Sequence, residues 1–119
     1  MSISRHFWGK VAMFNLYGCR PRAIRCPKTI DEFSRELVKE IGMEAFGPPQ
    51  IVHFGEGNKA GYTLVQLITT SNITAHFVEA TDDIYLDVFS CKDFKSETVE
   101  DVIVKYFDPK RMIHQEILR

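Results

Sequence analysis

Residues 69–76, TTSNITAH, place several reactive side chains inside a stretch that is otherwise apolar. Ser71 carries a hydroxyl, His76 follows five residues later, and Cys91 lies further along the chain. A hydroxyl becomes a nucleophile when an imidazole accepts its proton, and a thiol can act as a general acid. If the apolar segments around them form neighbouring strands, these three side chains converge at one end of a sheet. The alternative is a polar turn with a packed histidine and a buried, unreactive cysteine.

Other motifs in the chain favour structural interpretations. The loop GEGNKAG, residues 55–61, lacks the G-K-[ST] ending of a phosphate-binding loop and precedes a strand instead of a helix, which predicts a hairpin connection. Arg20, Arg22, Arg25 and Lys28 form a basic run, but the formal net charge of the chain is -1, so a solvated loop is favoured over a nucleic-acid site. The histidines and cysteines show no short metal-ligand spacing, and we expect no metal site.

Composition is that of an ordinary globular chain. The 119 residues are 45% hydrophobic and 26% charged, which predicts one domain spanning residues 1–119. The balanced charge gives no general attraction to nucleic acid or to anionic membranes. Residues 60–78 carry no charge, but their many polar side chains fit two buried strands better than a membrane span. The odd number of cysteines and the absence of a signal-peptide pattern predict a cytoplasmic protein.

Hydrophobic periodicity predicts two helices and six strands. Thr29 and Glu32 have the spacing of a capping box, apolar residues follow at helical intervals, and Gly42 ends this helix. A second amphipathic helix is predicted before the Asp108-Pro109 pair. The strands are predicted at residues 10–17, 50–54, 62–69, 72–79, 84–90 and 112–117, and the helices at 29–41 and 96–107.

This order predicts a two-layer α+β sandwich. Several strands follow one another without intervening helices, which implies a mainly antiparallel sheet with both helices packed on one face. The other face of such a sheet is left open. An open apolar face commonly pairs with a second copy, so we expect a homodimer.

Two blocks of the sequence carry a family resemblance. They are GYTLVQLITTSNITAH, residues 61–76, and DVFSC, residues 87–91. They resemble the runs G-V-S-G-V-V-V-I-S-E-S-H-L-T-I-H and D-L-F-T-C of the prokaryotic type of S-adenosylmethionine decarboxylase, a self-cleaving pyruvoyl enzyme. The first strand, both helices and the final segment KRMIHQEI also occur in family order, so the resemblance covers nearly the whole chain.

The resemblance implies a role for each matching residue. Ser71 is expected to attack the carbonyl of Thr70, which converts the peptide to an ester and leaves a pyruvoyl cofactor in place of the serine. Thr63 matches a helper serine in this processing, and His76 matches the histidine that transfers the proton. Cys91 matches the cysteine that protonates the product carbon after decarboxylation. A pyruvoyl ketone forms a Schiff base with the amine of its substrate and accepts the electrons that CO₂ leaves behind.

The resemblance also implies a small-molecule substrate, S-adenosylmethionine, and a product that donates an aminopropyl group for spermidine synthesis. The candidate substrate-binding residues are Glu79 and Phe54. The sequence departs from the family at Thr70, where glutamate is usual, at Asn72, where histidine is usual, and at Ala80, where an acid is usual. Since Glu79 is displaced by one position, we expect its side chain on the opposite face of the strand.

Three functions are compatible with these residues. The first is a decarboxylase of S-adenosylmethionine. The second is a pyruvoyl decarboxylase of another amino acid, of the arginine or ornithine type, because the processing residues are better retained than the substrate-binding ones. The third is a non-processing homologue with a binding role.

Overall fold

The computed structural model describes residues 1–4 and 6–119. Its strands are β1 Lys10–Tyr17, β2 Gln50–Phe54, β3 Gly61–Ile68, β4 Ser71–Val78, β5 Asp83–Ser90 and β6 Arg111–Leu118. Its helices are α1 Pro21–Ile24, α2 Pro27–Glu40 and α3 Ser96–Phe107, and one 3-10 turn covers Gly57–Lys59. Within these described ranges, no helix has both the length and the apolar character needed to cross a membrane.

All six strands form a single antiparallel sheet in the order β2-β3-β4-β5-β1-β6. The segment from β2 to β5 is a meander, in which each strand pairs with the next one along the chain. β1 lies between β5 and β6, so the two ends of the chain are joined through the sheet. This arrangement confirms the predicted α+β class and its antiparallel sheet.

One face of the sheet packs against the helices. Alternate residues of the central strands point to this side, and they form one buried cluster with the apolar residues of α2 and α3. Burial of each large side chain in this cluster contributes about 1.5–3 kcal/mol to the free energy of unfolding. The completely buried members include Phe14, Leu64, Ile73, Val88, Ile30, Leu37, Val99 and Phe107.

The structure corrects two predictions near the first helix. α2 begins at Pro27, not at Thr29, and its N-cap is Cys26, so the predicted capping box does not form. Proline is well suited to the first helical position because its φ angle is already helical and it has no N–H to leave unpaired. Residues predicted as loop contain the short helix α1, which begins at Pro21 for the same reason.

A buried ion pair joins both ends of the chain to α3. Lys10 is only 1% exposed, and its Nζ donates to the Phe94 carbonyl oxygen at 2.6 Å. The same Nζ lies 3.9 Å from Glu116 Oε1, and the Ser96 hydroxyl donates to that carboxylate. A buried charge is tolerated only when it is paired in this way, so β1, β6 and the start of α3 are fixed relative to one another.

The Glu116 carboxylate predicts a loss of stability in acid. Partial burial alone would raise the pKa of Glu116, but hydrogen bonds from the Met1 amine and Ser96 and the charge of Lys10 lower it to about 2. Because the folded-state pKa is below the ordinary value of 4.5, the stabilisation is complete above pH 4.5 and is lost as the pH falls towards 2. Glu116→Gln should therefore lower the thermal unfolding midpoint at pH 7 and have little effect near pH 2. Circular dichroism melts with the exposed Glu97→Gln as control test this, and an equal loss at both pH values would contradict it.

Candidate active site

Ser71 is the first residue of β4 and follows a two-residue turn formed by Thr69 and Thr70. In the sheet register, Ser71 lies opposite Ile68 of β3 and opposite Ser90 of β5. The turn forms here because two polar threonines interrupt the apolar pattern between the two strands. Ser71 therefore lies at the end of the sheet where β5 also ends.

The carbonyl group of Thr70 is held by the backbone of the neighbouring strand. Cys91 follows directly after β5, and its N–H donates to the Thr70 carbonyl oxygen at 2.9 Å. This is the carbonyl that the Ser71 hydroxyl would attack. A backbone donor on a carbonyl oxygen favours nucleophilic attack because it stabilises the negative charge that develops on that oxygen. The same bond places the half-buried Cys91 beside the turn.

Ser90 and Met43, which the sequence analysis did not select, both contact the side chain of Thr70. The Ser90 hydroxyl donates to Thr70 Oγ1 at 2.9 Å, and the Thr70 hydroxyl donates to the Met43 sulfur at 3.3 Å. Ser90 could have been noticed as the hydroxyl that precedes Cys91 in DVFSC. The sequence carries no signal for Met43, because it follows the end of α2 and reaches the turn only in the folded chain.

Thr63 and His76 form a hydrogen-bonded pair on the face of the sheet that the helices leave uncovered. They are direct cross-strand partners in β3 and β4, and Thr63 Oγ1 lies 3.1 Å from His76 Nδ1. Their neighbours in the same row are Val52 of β2 and Tyr85 of β5. The hydroxyl and the imidazole that the sequence analysis selected are thus in contact with each other.

Within one chain, the structure does not bring this pair to Ser71. His76 is five residues along β4, roughly 17 Å away at about 3.4 Å per residue. Strand alternation also places His76 on the open face and Ser71 on the side of the buried Ile73. The structure therefore brings the backbone of Cys91 to the turn before Ser71, and the predicted convergence with His76 is wrong in a single chain. Counting residues along the strand would have shown this.

Asp87 is a third polar group on the open face that the sequence analysis did not select. It lies opposite Thr74 in the register, two positions along the strands from the Tyr85–His76 pair, so its carboxylate is a diagonal neighbour of the imidazole on the same face. Partial burial raises the pKa of Asp87 above its ordinary value, and the charge of His76 offsets part of that increase. The alternation of DIYLDVFS, which puts Asp87 on the exposed side of β5, was the available signal.

The two candidate substrate-binding residues lie on different faces. Glu79 Oε2 is 2.9 Å from His53 Nε2, and His53 packs edge-on against the ring of Tyr62, on the same side as the helices. Phe54 ends β2 opposite Gly61 and is 57% exposed on the open face. The structure therefore places Phe54, and not Glu79, near Thr63 and His76.

The sequence model of the family described as S-adenosylmethionine decarboxylase matches residues 10–119, which contain every strand and helix of the fold. The chain belongs to the S-adenosylmethionine decarboxylase family. This membership confirms the resemblance drawn from residues 61–76 and 87–91. The matched range includes the Thr70–Ser71 peptide and Cys91.

Two relatives of this family agree with the assignment. An S-adenosylmethionine decarboxylase proenzyme of Pyrobaculum aerophilum is 28% identical over 118 residues, which cover 92% of this chain and 82% of the relative. The crystal structure of the adenosylmethionine decarboxylase from Aquifex aeolicus superimposes with a TM-score of 0.81 at 25% identity, covering 95% of this chain and 91% of that one. The protein therefore has the fold of an S-adenosylmethionine decarboxylase over almost its whole length.

The proximity of His76 and Asp87 predicts that the imidazole affects the titration of the carboxylate. His76→Gln removes the ring charge that lowers the pKa of Asp87, so that pKa should rise. Carbon-13 NMR of the Asp87 carboxyl across pH, in chains that also carry Ser71→Ala, measures the change. His53→Gln is the matched control, because His53 lies on the other face and should leave the Asp87 titration unchanged. An unchanged titration in His76→Gln would contradict the placement of these two groups.

Proposed function

We propose that this chain is a proenzyme that cleaves itself between Thr70 and Ser71, and that the mature protein decarboxylates S-adenosylmethionine with a pyruvoyl group formed from Ser71. Family membership supports the substrate and the reaction. The observation that carries the cleavage site is the hydrogen bond from the Cys91 N–H to the Thr70 carbonyl. This bond would activate the peptide that precedes Ser71, and it joins that peptide to the residue that carries the candidate thiol.

Cleavage would proceed through an ester. Attack of Ser71 Oγ on the Thr70 carbonyl carbon forms a C–O bond, and the peptide C–N bond then breaks, which leaves a free amine on residue 71. Loss of the Cα proton of residue 71 breaks the Cβ–Oγ bond and gives Thr70 a carboxylate with both oxygens. The enamine that remains on residue 71 takes a proton at Cβ and becomes an imine. Water then replaces the imine nitrogen, ammonia leaves, and the pyruvoyl group remains at the start of fragment 71–119.

The residues around Ser71 fit such a group. Ser71 begins a strand and follows a turn, so a chain break before it leaves β4 paired with β3 and β5. A pyruvoyl ketone in this position supplies an electron sink for the carbon–carbon bond that breaks on loss of CO₂. Cys91 is half-buried and its backbone bonds to this turn, so its thiol would hold the proton that the product carbon receives.

The positions of Phe54 and Glu79 in the sheet decide which of them we propose as a substrate contact. The exposed ring of Phe54 lies on the same face as Thr63 and His76, so we propose Phe54 as a substrate contact. Glu79 already pairs with His53 on the other face, and it is not proposed as a ligand. The decarboxylated product would serve as the aminopropyl donor in spermidine synthesis. The pairing of Glu79 keeps the second substrate class, arginine or ornithine, as the alternative to test.

We further propose that two copies contribute to each site. The open face exposes a set of large apolar side chains that a second copy would cover. These are Val52, Phe54, Leu67, Tyr85, Ile113 and Ile117. If the two open faces pack together about a two-fold axis perpendicular to the strands, the strands of the two copies run past each other in reverse. Thr63 and His76 of one copy then lie over the strand end that carries Ser71 in the other copy. The side chain of Ser71 points to the helix side, so groups above the open face would meet the backbone of residue 71 and not its hydroxyl.

Substitution of the two reactive residues separates processing from turnover. Ser71→Ala should abolish cleavage because no nucleophile remains, whereas Cys91→Ala should still yield fragments 1–70 and 71–119 but turn over substrate at least about a hundred-fold more slowly. Intact-mass analysis detects the fragments, and release of labelled CO₂ from S-adenosylmethionine, arginine or ornithine identifies the substrate. Ser34→Ala, in α2, is the control for both steps. Cleavage of Ser71→Ala at the same bond would refute the assignment.

Mixed chains test the contribution of the second copy. His76→Ala chains should remain uncut alone because they lack the base that would take the Cα proton of residue 71, but they should be cut when co-expressed with Ser71→Ala chains, which supply an intact His76. Mass spectrometry distinguishes the two chains and shows which one is cleaved. Co-expression with chains that carry both substitutions is the control and should give no cleavage. If the His76→Ala chain stays intact in the first mixture, the two copies do not share the site.

A further inference from the structure

Ser90 is a completely buried hydroxyl for which neither the family resemblance nor the proposed chemistry requires a role. Its oxygen accepts a hydrogen bond from the Lys92 N–H at 3.0 Å. Its own hydrogen is donated to Thr70 Oγ1 at 2.9 Å, and the Met43 sulfur lies 3.6 Å from Ser90 Oγ. Since the Thr70 hydroxyl donates in turn to Met43, the contacts form a directed chain from residue 92 to residue 43.

This series of hydrogen bonds fixes Thr70 from two sides. Ser90 holds the side chain of Thr70, and the Cys91 N–H holds its carbonyl, so consecutive residues at the end of β5 bind the same turn residue. Lys92 adds a third link, because its Nζ donates to the Gly42 carbonyl oxygen at 2.7 Å, beside Met43. The series of hydrogen bonds is therefore also held at the end that Met43 forms. Rotation of the Thr70 side chain or of its peptide plane would break at least one of these bonds.

We propose that Ser90 is a positioning residue for self-cleavage: through the Thr70 hydroxyl it holds the Thr70–Ser71 peptide in the orientation in which Ser71 can attack. The inference rests on the proposed function and goes beyond it by giving a role to a residue that is not itself part of the reaction. The attacking oxygen and the carbonyl belong to adjacent residues, so small rotations of the peptide decide whether they can react. Misplacement by about 1 Å can slow a reaction about a hundred-fold.

The position of Thr70 explains why a hydroxyl at residue 90 is useful in this chain. Thr70 takes a place where the family usually has glutamate, and its short side chain cannot reach distant partners. Ser90 is the direct cross-strand partner of Ser71, so its hydroxyl lies beside the turn, within hydrogen-bond distance of Thr70 Oγ1. Met43 then accepts the remaining proton of the pair, and no hydroxyl hydrogen is left without an acceptor.

Cleavage kinetics test the proposal with a matched control. Ser90→Ala should slow the appearance of fragments 1–70 and 71–119 by about ten-fold or more, and Ser90→Thr should restore most of the rate because it keeps the hydroxyl. Ser34→Ala removes an equally buried hydroxyl, one that bonds to Gln66 and not to the turn, so its rate should match that of the unsubstituted chain. Ser90→Ala cleavage at the unsubstituted rate, or equal slowing in Ser34→Ala, would overturn the proposal.

A second measurement does not depend on cleavage. In Ser71→Ala chains, which stay intact, hydrogen exchange of the Cys91 amide by NMR reports how firmly the Thr70 carbonyl is held. Adding Ser90→Ala should accelerate this exchange by about ten-fold relative to adding Ser34→Ala. An unchanged rate would overturn the positioning role. If the unsubstituted chain is never cut, the proposed function fails, and the exchange result still decides whether Ser90 holds Thr70.

Discussion

The pairing of β4 with β5 is the constraint on which the candidate site depends. It sets Ser71 against Ser90 and brings the Cys91 N–H to the Thr70 carbonyl at 2.9 Å. A shift of one residue in this register would turn each side chain of β4 to the other face and would break the contact with Cys91. The buried side chains of both strands prevent such a shift, because it would expose them and bury polar ones. The hydrophobic core thus maintains the geometry of the reactive turn.

The candidate reactive groups lie in two separate places on the sheet. At the end of β4 where Ser71 lies, the turn is held by backbone and hydroxyl groups and is supported from the side of the helices by Met43. Towards the other end, Thr63 and His76 stand on the open face among exposed apolar side chains, with Asp87 midway along β5 on the same face. A rigid sheet cannot fold these two ends together. The proposal that two copies share the site rests on this separation and on the apolar side chains that the helices leave uncovered.

The departures from the family pattern are local, and the structure compensates for the one at the proposed cleavage site. Thr70 replaces a long acidic residue with a short hydroxyl, and Ser90 and Met43 satisfy that hydroxyl inside the protein. Glu79 does not take the expected substrate-binding position, because its side chain faces away from Thr63 and contacts His53. The contacts around Thr70 are therefore closer to what the proposed cleavage needs than Glu79 is to the expected substrate contact. This difference agrees with a site in which the backbone does most of the positioning.

The sequence by itself determined the elements and the family. Alternation in residues such as Leu64, Ile73 and Val88 defines the strands, and the helical spacing of Val99 and Ile103 defines α3, because local periodicity reports which face is buried. The start of α2 at Pro27 was missed, since a capping motif and a helix-initiating proline competed within a few residues. The tertiary structure alone decided which reactive groups meet. Whether His76 lies near Ser71, whether Met43 reaches Thr70 and whether Asp87 reaches His76 depend on register and on contacts between distant segments, which no local pattern encodes.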